Sequence, residues 1–167
     1  MKKMTEANLS AAFAGESQAH MKYLNFAEQA EKEGLKNVAR LFQAAAYAEQ
    51  MHASGHLRAL SGISNTAANL AVALAGETFE IEEMYPAYTK VAEAQDEKKA
   101  LRSMNWALAA EKVHAQLYSA AKAVVESGKD APATEIWVCS VCGFTGEGPE
   151  PDICPICGTK HDKFRKF

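Results

Sequence analysis

Glu49-Gln-Met-His52 recurs in the second half of the chain as Glu111-Lys-Val-His114, each on an alanine-rich stretch with no glycine or proline inside the motif. Such stretches favour helix interiors. Residues three apart share a helix face, so each carboxylate and imidazole can converge on one point. A single Glu-x-x-His is common on a solvated face. Two copies constrain the fold far more when further acids sit at matching depth on two other helical segments, and Glu16, Glu80 and Glu83 do.

Apolar periodicity divides the chain ahead of Gly128 into four long helices. The first, from Thr5 to about Lys32, carries Leu9, Phe13, Glu16 and Tyr23 near one stripe and is expected to be capped by Thr5. Glu33-Gly34 ends it. The second runs from about Leu35 to Leu60, with Glu49, His52 and His56 near one face. His20 and His56 read as neighbours of a site rather than ligands, and no His-Glu-x-x-His supports a zinc protease. The third spans about 66–94 and must kink or break at Pro86, where a backbone donor is missing. Before that proline, Glu80 and Glu83 share a side while Glu82 points away. The fourth, about 96–127, carries Glu111 and His114 and stops at Gly128.

The remainder is a different object. Cys139-Ser-Val-Cys142 and Cys154-Pro-Ile-Cys157 are paired Cys-x-x-Cys turns with eleven residues between them. Four thiolates so arranged hold one tetrahedral ion, zinc or iron. A segment this short cannot bury enough surface to fold unaided, so the metal is part of its stability, with Trp137, Phe144 and Phe164 as its small core. All four cysteines of the 167-residue chain lie here. That clustering favours a metal site over disulfides, and a reducing, cytoplasmic home. A net charge of −3 gives no reason to expect nucleic acid or an acidic membrane, and no segment has the length of a membrane span or of a secretory leader.

Five carboxylates and two imidazoles near one point repel one another and resist ionisation unless cations sit among them. Two divalent metals resolve that charge, and bridging carboxylates with one histidine per metal suit iron or manganese. The heights agree. Glu16 and Glu49 stand about four to five helical turns to either side of Gly34, and Glu80 and Glu111 about four turns to either side of Asp96.

In the strings Ala-Gly-Glu16-Ser-Gln-Ala and Glu80-Ile-Glu-Glu83-Met-Tyr-Pro86, and in the Cys139 to Cys157 knuckles, the chain resembles the rubrerythrin family throughout its length. The resemblance implies a mostly α fold: a ferritin-like di-iron four-helix bundle over 1–128, a linker at 129–135 and a rubredoxin-like four-cysteine metal domain over 136–167. It implies two non-haem irons held by Glu16, Glu49, His52, Glu80, Glu83, Glu111 and His114, and a third iron on Cys139, Cys142, Cys154 and Cys157, with zinc an alternative in recombinant material. Glu83 resembles the extra carboxylate that ordinary ferritins lack, exchanging with His52 as one iron changes oxidation state. Tyr23 and Tyr88 match tyrosines beside the metals. The implied activity is reduction of hydrogen peroxide to water in oxidative-stress defence, with electrons from a rubredoxin or an NAD(P)H-dependent reductase. A ferroxidase using dioxygen and a non-enzymatic electron carrier are the alternatives.

Two expectations concern assembly. Ferritin-like bundles run their second and third helices parallel, and four or five residues near Gly62 are too few to return the chain along a helix. A domain-swapped homodimer is therefore expected, with helices one and two of one chain completing a bundle with helices three and four of its partner. The fourth helix carries the linker about 20 Å beyond His114, so the cysteine module of one chain is expected to serve the metal pair of the other.

Overall fold

Small side chains decide how closely these helices approach. The computed structural model describes residues Met1–Phe167, in two compact units, Met1–Ser64 and Asn65–Phe167. The first is a helical hairpin of α1 (Lys3–Lys32) and α2 (Lys36–Ala59). Every fully buried residue in it is an alanine: Ala27, Ala30, Ala39, Ala46 and Ala53. Alanine lets the two backbones come close, and His20 uses that proximity to donate from Nδ1 to the Ala46 carbonyl at 2.8 Å. Tyr23, Phe26 and Phe42 add an aromatic cluster with ring centroids 5.5–6.3 Å apart. The helix α1 begins ahead of Thr5, at Lys3, with no side-chain cap, so Thr5 lies inside it. Its end is fixed by the Leu35 amide donating to the Ala30 carbonyl across Gly34, whose φ of 78° a side chain would resist.

In the second unit Asn65 caps α3 (Thr66–Phe79) by accepting from the Ala68 amide at 2.9 Å. Proline at position 86 neither breaks nor ends this helix. The chain passes through one π turn, Glu80–Met84, and continues as α4 (Tyr85–Ala94) with Pro86 in its first turn. The Tyr85 amide reaches back to the Glu80 carbonyl, the i→i+5 bond of a π turn. Pro86 lacks a donor, and a first-turn position demands none. Asp96 then takes the left-handed conformation (φ 53°) that reverses the chain into α5 (Lys98–Glu126). Both α3 and α4 pack on α5. No helix is long and apolar enough to cross a membrane.

The cysteine module is a three-stranded antiparallel sheet in the order β2-β1-β3, from β1 (Ile136–Cys139), β2 (Thr145–Glu147) and β3 (Phe164–Lys166). Trp137 is its core, stacked on Phe164 at 4.9 Å and tilted against Phe144 at 6.0 Å. Its partner across the ladder is Gly146, where any β-carbon would run into the indole ring.

This module lies against α5 of its own chain, with Thr145 Oγ1 2.8 Å from His114 Nε2. The expectation that it stands far from its own chain's His114 is thereby overturned. Helical rise carries the chain away from His114, but the seven residues 129–135 extend to roughly 24 Å, enough to run back along the helix.

Candidate metal centre

Three groups of donors converge. Glu16, Glu49 and His52 form one on the α1–α2 hairpin, and Glu77, Glu111 and His114 form a second on α3 and α5. The four cysteines form the third. Within each group the donor atoms lie within 4.8 Å of one another.

The two carboxylate triads are built alike. Glu49 Oε2 is 3.0 Å from His52 Nδ1, and Glu111 Oε2 is 2.7 Å from His114 Nδ1. In the first triad a hydrogen bond to Glu49, burial and the Glu49 charge hold the Glu16 carboxyl above its ordinary value. The same bond, with one from His52, holds Glu49 below it. In the second triad burial comes first, then the hydrogen bond and charge of Glu111, and together they push Glu77 up to about 7. Glu80 is raised as well, by burial and then by Glu111. Crowded acids raised for want of a counter-charge are what a divalent cation relieves, and each triad offers two carboxylates and one imidazole to it.

Glu77 stands where Glu80 and Glu83 were expected. The repeat explains why. Ala14-Gly15-Glu16 on α1 is matched by Ala75-Gly76-Glu77 on α3. Glu49 follows the reversal at Gly34 by the same interval as Glu111 follows the one at Asp96. Glu77, however, precedes its reversal by one residue more than Glu16 does. The extra residue is taken up by the π turn Glu80–Met84, which restores the level of Glu77 with Glu111. Counting along a uniform α-helix selects Glu80 instead. The π turn also changes the phase of the chain beyond it, so Glu83 is exposed beside Thr78, Phe79, Glu82 and Lys122 on another face. Glu80 stays near the second triad and Glu83 does not.

Tyr88 is displaced in the same way. Tyr88 is 51% exposed, in a shallow groove with Val91, Gln95 and Met104. Tyr85, one turn earlier, faces the acids; burial and then the charges of Glu80, Glu111 and Glu77 raise its pKa. Tyr23 is half-buried in the aromatic cluster of α1 and α2. His56 is close enough to Glu16 to act on its charge but joins neither triad.

The cysteine group has the geometry of a tetrahedral ion site. Sulfur separations are 3.7 Å for Cys139–Cys157 and 3.6 Å for Cys142–Cys154. A tetrahedron with metal–sulfur bonds of about 2.3 Å has edges of about 3.8 Å. Burial pushes the Cys139 and Cys142 thiols up. Burial also pushes Cys157 up, but hydrogen bonds with Thr159, Cys142 and Cys154 together outweigh it and bring the thiol down to about 6, ready to ligate.

The rubrerythrin family model matches residues 7–122, and the model of the rubrerythrin rubredoxin-like domain matches 137–165. Rubrerythrin-2 of Clostridium acetobutylicum is 41% identical, over 98% of this chain and 97% of that protein. Nigerythrin of Nitratidesulfovibrio vulgaris is 33% identical, over 98% and 86%. A solved structure of fully reduced, all-ferrous nigerythrin superposes with a TM-score of 0.58 at 32% identity, covering 98% of this chain and 86% of that one.

Replacing Glu77 with Gln removes a donor and a source of repulsion together. Because the folded-state pKa of Glu77 is raised, its contribution to the stability of the metal-free protein is lost as pH rises between about 4.5 and 7. Thermal denaturation of metal-free Glu77→Gln should show a shallower decline across that window. Iron affinity should fall by about 10–100-fold or more, since even indirect supports of a metal ligand are worth that much. Glu83→Gln should leave both unchanged. The opposite pattern, with Glu83→Gln the damaging change, would restore Glu83 to the ligand set.

Proposed function

Because the chain belongs to the rubrerythrin family, we propose that it is a peroxidase that reduces hydrogen peroxide to water at a di-iron carboxylate centre. The observation that carries this reading is the pairing of two Glu-Glu-His triads with a four-cysteine module hydrogen-bonded to one of them. Glu16, Glu49, His52, Glu77, Glu111 and His114 would hold the iron pair, with Glu80 as a seventh donor. Cys139, Cys142, Cys154 and Cys157 would hold a third iron. When bound, the pair would supply both electrons for cleaving one peroxide O–O bond, and an iron on the four cysteines would supply a relay for replacements from an external donor such as a rubredoxin or an NAD(P)H-dependent reductase. Two electrons and two protons convert one peroxide to two waters. Tyr85 keeps its phenolic proton beside the acids and is suited to donate a hydrogen bond to a peroxide oxygen. Tyr23, two turns beyond Glu16 on α1, would do the same from the other hairpin. The working modules in this reading are 1–128 and 136–167, joined by 129–135, in a cytoplasmic protein of oxidative-stress defence.

The two triads belong to different compact units, and we assign their union to a domain-swapped homodimer. Six residues, 60–65, join α2 to α3 and extend to about 20 Å. The 24-residue α2 is about 36 Å long, so this connector is too short for the parallel second and third helices of a ferritin-like bundle. Apolar side chains left exposed, such as Met21, Leu24, Leu41 and Met51 on α1–α2 and Val72, Phe79 and Val91 on α3–α4, supply a surface for a second copy to bury.

Stopped-flow mixing of the fully reduced protein should give faster oxidation by peroxide than by dioxygen; the reverse order would favour a ferroxidase. In the same assay Cys142→Ser should keep its single turnover with peroxide and lose steady turnover with a rubredoxin-directed donor. Unchanged steady turnover would remove the cysteine module from the electron path.

Complementation reads the swap. A chain lacking Glu49 and His52 and a chain lacking Glu111 and His114 should each be inactive alone. Refolded together, a swapped heterodimer contains one site with all its ligands, so activity should return to about a quarter of wild type, as half the dimers would be mixed and half their sites whole. No recovery from a mixture shown to form heterodimers would mean that each chain completes its own centre.

A further inference from the structure

The contact between the cysteine module and α5 is a specific one. Thr145 is 5% exposed, and its hydroxyl sits between two partners: His114 Nε2 at 2.8 Å and the Gly143 carbonyl at 3.2 Å. A hydroxyl has one proton to give. Given to Gly143, it leaves the Thr145 oxygen as the acceptor for a proton on His114 Nε2. Given instead to the ring, it would leave the buried turn carbonyl of Gly143 without this partner. The first arrangement satisfies all three groups and puts a hydrogen on Nε2; when a cation replaces the proton shared between Nδ1 and Glu111, 2.7 Å apart, the neutral ring left is the Nε2–H tautomer. That is the tautomer a metal ligand on this face requires.

The bridge continues into the cysteine turn. The peptide whose carbonyl accepts from Thr145 also carries the Phe144 amide, which hydrogen-bonds Cys142 and lowers its pKa against the larger effect of burial. Three hydrogen bonds, one hydroxyl and one peptide unit thus join the Cys142 sulfur to the His114 ring within one chain. His52, the counterpart of His114 in the first triad, has a side chain 59% exposed against 28% for His114. The two halves of the repeat differ at this point.

We infer that Thr145 is a positioning residue for the metal centre, supplied by the chain's own cysteine module: it holds His114 in the Nε2–H tautomer and latches the cysteine turn to α5. The inference rests on the metal-centre reading above, and the two are separable by experiment. In full-length protein with zinc in place of iron, nitrogen-detected NMR of the histidines reads both ring atoms. The expected result is a His114 Nε2 proton protected from exchange, together with a metal-shifted Nδ1. Thr145→Val, close in shape but without the hydroxyl, should lose the protection and bind the metal at His114 about 10–100-fold more weakly. Thr145→Ser should restore both. Absence of a protected proton in the wild type, or its survival in Thr145→Val, would overturn the inference. A protected proton with an unshifted Nδ1 would keep the latch and overturn the metal-centre assignment instead.

Discussion

Carboxylates gathered in a half-buried place repel one another, and the rest of this protein is arranged to hold them together regardless. Glu77 carries the cost most openly, pushed up to about 7 by burial and by Glu111. Alanine-lined contacts bring the backbones close enough for side chains on neighbouring helices to meet. Chain reversals at Gly34 and Asp96 set the levels at which they meet. Without a cation each triad is uncomfortable, and a cation at its donors relieves the repulsion. The metal-free fold therefore carries its charge repulsion where a cation would sit, a trade common at functional sites.

An internal repeat underlies that arrangement. Ala-Gly-Glu followed by Glu-x-x-His occurs twice, and even the hydroxyls after the glutamates behave alike: Ser17 donates to Phe13 and Thr78 to Leu74, each four residues back. The second copy carries one more residue than the first, absorbed in the π turn. The helices, the Glu-x-x-His pairs, Glu16 and the paired cysteine turns are legible in the sequence because each follows from periodicity or spacing. Glu77 and Tyr85 are not, because straight-helix counting cannot register a single wide turn. The signal that points to Glu77 is the repeated Ala-Gly-Glu, aligned with Glu16 rather than with Glu80 and Glu83. Tyr85 follows once Glu77 is placed.

The place of the cysteine module escapes the sequence for a different reason. Rise along α5 leads outward from His114, and only the reach of residues 129–135 reveals the return path. No local pattern marks Thr145 as the point of contact. Its partner lies 31 residues away, and only the fold brings the two together. The module's own core is easier to foresee, since Trp137, Phe144 and Phe164 are its large aromatic groups nearest the cysteines and have little else to pack against. With so small a core, the ion at the four sulfurs and the contact with α5 both support it.

The central claim is that the two triads close on one pair of metals. An anomalous-difference map at the iron edge, from crystals of the iron-loaded protein, tests this most directly. The account predicts two peaks about 3.5–4 Å apart, ligated by Glu16, Glu49 and His52 together with Glu77, Glu111 and His114, and a third peak among the four sulfurs. A separate single peak at each triad, with no ligands from the other, would contradict it.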